Sequence, residues 1–144
     1  MSTERSHIPL HIRRQVEEDA RQRCGYCLTP RVFTAKLLHI DHIIPIAAGG
    51  GSEIENLWLA CDFCNSRKGM RTHAVDLLTG VTVSLFHPRN QNWYDHFTWS
   101  KDGTRILGLT PTGRATVHIL KLNDAYLVEA RRWWVKAGWH PPVD

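Results

Sequence analysis

The stretch HIDHIIPIAAGGGSEIENLWLACDFCNSRKG, residues 39–69, decides how this chain folds. It opens with His39, Asp41 and His42, set among the apolar residues Leu37, Leu38, Ile40, Ile43 and Ile44. Burying a carboxylate and two imidazoles in a strand is unfavourable unless pairing, a metal or a chemical role offsets it. Lys36 to His42 reads as that strand, AAGGGSEIEN as a loop with three successive glycines, and LWLAC as a second short strand. A helix is expected to begin near Cys64 and to run through NSRKGM. The predicted order is strand, loop, strand, helix.

Cys24/Cys27 and Cys61/Cys64 are two C-x-x-C pairs with 33 residues between them. Four thiolates from two such knuckles make a tetrahedral site suited to zinc, closed to substrate because protein fills every position. A dithiol oxidoreductase would need one such pair at a helix start in a βαβ context, and structural disulfides belong to secreted chains. The zinc would fasten the strand carrying HIDH to the helix near Cys64. In a chain of 144 residues such a staple bears directly on folding.

With the second knuckle pinned, Asn65 falls in the first helical turn, and Asp41 and His42 at the end of the preceding strand. The three can converge in one cleft beside Arg67, Lys68 and a helix N-terminus that favours phosphate. A carboxylate and an amide oxygen are hard ligands suited to a magnesium-like ion. A neutral imidazole next to them can take a proton from water near pH 7. Metal-assisted phosphodiester hydrolysis is the chemistry this set points to.

These residues, with CGYC upstream, resemble the HNH endonucleases of the four-cysteine kind. In that pattern an Asp-His pair ends the first strand, an Asn lies in the loop, and a His or Asn sits on the helix. Asp41-His42, Asn56 and Asn65 occupy those places, the H-N-N variant. The resemblance covers residues 24–72 and implies an α+β, ββα-metal (treble-clef-like) core stapled by a four-cysteine zinc. It implies that Asp41 and Asn65 hold one catalytic divalent ion, magnesium or manganese. His42 would be the general base and Asn56 would fasten the loop, the products carrying a 5′-phosphate and a 3′-hydroxyl. The implied partner is DNA, with RNA left open. The rival reading is a non-cleaving, zinc-dependent nucleic-acid-binding module. His39 can face the same cleft or lie partly exposed on its strand. Arg67, Lys68 and Arg71 fit phosphate contacts as well as a solvated helix face.

Around this core the chain is expected to form one domain over residues 1–144, with an N-terminal helix and a C-terminal extension over 73–144 packed on the core. Pro9 can open a helix running to about Arg23, with Ile12, Val16 and Ala20 as its apolar stripe and Glu17–Arg21 as an exposed pair. HFTWS and TRILGL flank KDG, a hairpin signal. Thr110-Pro111 can cap a helix over TGRATVHILK, although Val117 and Ile119 leave a strand reading open. Asn123 can cap and Gly138 can end a last helix over DAYLVEARRWWVKAG. The segment RNQNWYDHFTWSKDGTRILGLTPTGRATVHILKLN also resembles an extension of small bacterial HNH proteins. Of its tryptophans and those that follow, Trp93, Trp99, Trp133, Trp134 and Trp139 read as core before base-stacking platforms.

Hydrophobic residues make up 42% of the chain and charged ones 22%, a globular rather than disordered balance. The net charge of +4 is modest. Its location says more, since Arg67, Lys68 and Arg71 gather beside the second knuckle, and Arg131, Arg132 and Lys136 near the C-terminus. Charged residues interrupt every apolar run, and MSTERSHIPL lacks a signal-peptide core, so a cytoplasmic protein without membrane contact is expected. No heptad pattern marks a dimer seam, and oligomeric state stays open.

Overall fold

The computed structural model describes residues 8–144, so the reading of the N-terminus as free of a signal peptide falls mostly outside them. The predicted strand, loop, strand and helix are present. Strand β1 (His39–His42) pairs antiparallel with β2 (Leu57–Ala60), His42 opposite Leu57 and Asp41 opposite Trp58, and α3 (Asp62–Lys68) follows directly. The strand is shorter than the apolar run because Ala35 adopts a left-handed conformation (φ 57°), which leaves Leu37 exposed. Helix α3 starts two residues earlier than expected. Cys61 is its N-cap, and the Cys61 sulfur accepts the Cys64 backbone N–H at 3.4 Å.

Helix α1 (Leu10–Asp19) lies against β2 through the predicted stripe. Val16 and Ala20 are buried with Leu38, Leu57 and Leu59, and Ile12 packs beside them. Burial of each such leucine stabilises the fold by roughly 1.5–3 kcal/mol. The helix ends before the expected Arg23 because Arg21 and Gln22 turn left-handed, at φ 56° and 55°. The expected Glu17–Arg21 pair is therefore replaced. Glu17 accepts from Arg13 at 3.1 Å, and Arg21 reaches Asp144 instead. A single turn, α2 (Arg31–Thr34), connects the first knuckle to β1.

Past α3 come two further hairpins and three helices. Strands β3 (His73–Val75) and β4 (Thr82–Ser84) form one hairpin. After the single turn α4 (Trp93–His96), β5 (Phe97–Trp99) and β6 (Ile106–Gly108) form the one signalled by KDG. The Thr110 hydroxyl caps α5 (Pro111–Ile119) by accepting from Gly113 N–H at 3.0 Å, which resolves that segment as helix. Helix α6 (Ala125–Lys136) is capped by Asp124, not Asn123. Asn123 instead holds β6, exchanging bonds of 2.7 and 2.8 Å with the Ile106 backbone.

One apolar cluster runs from both knuckles (Cys24, Tyr26, Cys27, Cys64) through Phe86, Trp93 and Phe97 to Ile106, Leu120 and Leu122. The knuckles and the C-terminal segment thus share a core, and Trp93 joins them directly by donating to the Tyr26 carbonyl at 2.9 Å. The tryptophans divide. Trp93 is buried and Trp99 and Trp134 are half-buried, whereas Trp133 and Trp139 are exposed. Arg131 does not belong to a basic surface. It is fully buried and donates to the carbonyls of Thr104 and Leu122.

Candidate functional site

The four cysteine sulfurs lie within 4.8 Å of one another, and Cys27 and Cys61 are 3.7 Å apart. A tetrahedral site with zinc–sulfur bonds near 2.3 Å has sulfur–sulfur edges of about 3.8 Å, so the cluster has the size such an ion requires. Cys24, Cys27 and Cys64 are buried and Cys61 is half-buried. Burial pushes the Cys24 thiol well up, and hydrogen bonds among the thiols do the same to Cys64. Four thiolates can coexist there only around a cation.

Asp41, His42 and Asn65 line one cleft of about 900 Å³, together with His39, Arg13, Pro45 and Met70. Asp41 is almost wholly enclosed. Tyr26 Oη donates to its Oδ2 at 2.6 Å and Lys68 Nζ to its Oδ1 at 3.1 Å. Burial, followed by the Asp41 charge, pushes the Tyr26 phenol well up, so it remains a donor. Each carboxylate oxygen accepts one bond and retains a further lone pair, which leaves Asp41 able to ligate a cation in the cleft that Asn65 also lines.

His42 contacts Ser52 Oγ through Nε2 at 3.0 Å, and its carbonyl accepts from Lys68 at 3.1 Å. Asn56 stands outside the cleft, where it closes the loop. Its side chain accepts from Ile44 N–H at 2.8 Å and donates to the carbonyls of Ile44 and Gly51 at 2.9 and 2.8 Å. Gly50 is required at this closure, because a Cβ there would lie 1.8 Å from the Ile44 carbonyl oxygen. His39 is exposed and its Nε2 contacts Asp62 at 2.8 Å, an interaction that lowers the Asp62 carboxyl.

The basic cluster is rearranged relative to its reading as surface. Lys68 is only 2% exposed and underlies the site instead of facing solvent. Arg67 rests over the Phe63 ring at 4.5 Å and faces Asp124 at 3.8 Å, where α3 meets the start of α6. Arg71 remains exposed and donates to the Arg67 carbonyl. The sequence reading missed Tyr26 altogether and named Lys68 for phosphate contact, not as the buried partner of Asp41. Lys68 had a signal, for it lies four residues after buried Cys64 and so on the same helix face. Tyr26 had none, because a knuckle tyrosine is equally at home in any core.

Residues 24–71 match the family model of the HNH endonucleases, so an HNH endonuclease domain with its four-cysteine cluster occupies this part of the chain. No curated protein and no solved structure matches the chain.

Proposed function

We propose that this protein is a metal-dependent HNH endonuclease that hydrolyses phosphodiester bonds in DNA, its core stapled by zinc on Cys24, Cys27, Cys61 and Cys64. The supporting observation is the convergence of Asp41, His42 and Asn65 in one cleft, fed by β1 and α3. Asp41 and Asn65 would hold a magnesium or manganese ion. When bound, such an ion polarises the phosphate and stabilises charge on the departing 3′-oxygen.

The chain's own residues do the rest. His42 takes the proton from the attacking water, held at the strand end through its carbonyl by Lys68 and at its Nε2 by Ser52. Asn56 keeps the loop that carries Ser52 closed against Ile44. Arg71, the exposed member of the basic cluster, would meet phosphate, and Arg67 and Lys68 would act through their protein partners. A single site cuts one strand per engagement. No helix among the described residues is long and apolar enough to cross a membrane.

The decisive experiment is plasmid relaxation with magnesium or manganese. Wild type should convert supercoiled plasmid to open circles, a chelator should stop it, and His42→Ala should slow it by roughly two to four decades while DNA binding persists. Equal rates for both proteins would remove His42 from the mechanism. If neither cuts DNA or RNA with any divalent ion and both bind it, the protein is a binding module.

A further inference from the structure

We propose that Lys68 is the resident counter-ion of Asp41, so that the free protein holds a catalytic divalent cation weakly and takes it up tightly only together with a phosphodiester. This rests on the reading of Asp41 as a cation ligand. The Lys68 ammonium lies 3.1 Å from Asp41 Oδ1 and the two side chains are 2% and 5% exposed. Water therefore does little to screen the pair, and the positive charge acts directly on any ion that approaches the same carboxylate.

The charges around the cleft sum to nothing that would replace it. Asp41 is neutralised by Lys68, Asn65 is uncharged, and Arg13, which also lines the cleft, is paired with Glu17 at 3.1 Å. His39 is matched by Asp62. A hard divalent ion ordinarily needs one or two carboxylates plus substrate phosphate. Here the single carboxylate is already balanced, so the missing negative charge must arrive with the ligand. Lys68 need not leave. It is held by the His42 carbonyl as well, and Asp41 keeps lone pairs beyond those that accept from Lys68 and Tyr26. Ion and nucleic acid then bind with positive coupling, each tightening the other by the same factor.

The test uses zinc-loaded His42→Ala protein, in which cleavage should be slowed by roughly two to four decades, with manganese binding read by electron paramagnetic resonance of the free ion. A duplex DNA oligonucleotide should tighten manganese binding by about tenfold or more, after subtraction of manganese held by DNA alone. Lys68→Met in that background should tighten manganese binding to the free protein by about as much and shrink the effect of DNA. Manganese affinity indifferent to DNA overturns the proposal, as does a folded Lys68→Met protein that binds manganese no more tightly. If Lys68→Met fails to fold, the coupling in the His42→Ala protein alone decides. Asp41→Asn in the same background separates the two levels. If it leaves manganese binding and its coupling untouched, the ion is not at Asp41 and the site reading itself fails.

Discussion

Tyr26 donates a hydrogen bond of 2.6 Å to Asp41, and both residues are buried. Tyr26 stands between Cys24 and Cys27, so the knuckle that would hold zinc also orients the carboxylate that would hold the catalytic ion. The cysteine cluster and the candidate site are joined by one phenol. A hydrogen bond to a charged group is worth about 1.5–3 kcal/mol, and Tyr26→Phe should lower stability by that amount with zinc retained. Cleavage should fall as well, because Asp41 loses one of its two supports. Thermal melts, zinc content and plasmid relaxation measured together check this. A variant that melts and cuts like wild type would show that the carboxylate needs no phenol.

Cys61→Ser removes one corner of the sulfur cluster. Structural zinc in small folds contributes about 10 kcal/mol or more, so the variant should lose its metal and its cooperative unfolding transition. Native mass spectrometry of the wild type should give one zinc per chain, and a folded wild type without metal would contradict the assignment.

Asp41→Ala and Asn65→Ala should both impair cleavage, the first more severely, and raised magnesium or manganese should restore part of it. Loss of a ligand can be offset by more ion, whereas loss of a general base, the role proposed for His42, cannot. Asn65→His should retain activity, since imidazole can also ligate. Rates measured across a metal titration distinguish these cases.

Asn56→Ala deletes three hydrogen bonds that close the loop behind His42. At roughly 0.5–1.5 kcal/mol each, the loss should be a few kcal/mol of stability together with slower cleavage. Gly50→Ala should act on the same loop by steric conflict with the Ile44 carbonyl. Hydrogen exchange should show loosening of residues 44–56, with α5 and α6 unaffected.

Asp76 provides a pH handle away from the site. Its carboxylate accepts two bonds from Arg114, at 2.9 and 3.0 Å, and this holds its pKa well below the usual carboxylate range. A depressed folded-state pKa contributes stability that is present above the unfolded value of about 3.9 and is lost as pH falls through the folded one. Wild type should therefore lose stability in strong acid. Asp76→Asn should be less stable at neutral pH and lose less on acidification, as acid melts of the pair would reveal.

Trp134 lies against Phe33 of α2, the ring centroids 4.9 Å apart and the planes tilted by 53°, so helix α6 packs on the knuckle side of the molecule through it. It is half-buried, and Trp134→Ala should destabilise by less than the roughly 3–5 kcal/mol of a fully buried aromatic. DNA affinity should hold. Thermal melts beside binding curves tell packing from stacking, and lost affinity at unchanged melting temperature would reverse the assignment.

The residues that local rules govern were readable from the chain itself. Two C-x-x-C pairs, an Asp-His at a strand end and an Asn after the second cysteine pair are patterns of short range. The stripe Ile12, Val16, Ala20, the KDG turn and the Thr110 cap are likewise set by backbone geometry within a few residues. Tertiary structure decided what depends on distant partners. The Lys68 ammonium is buried because a carboxylate 27 residues away accepts it. Arg131 is buried because the Thr104 and Leu122 carbonyls, 27 and 9 residues away, accept it. Charged side chains stay in water unless such partners repay their desolvation. A linear sequence displays the charge but not the partner, and for that reason the basic cluster reads as surface while one of its members lies beneath the site.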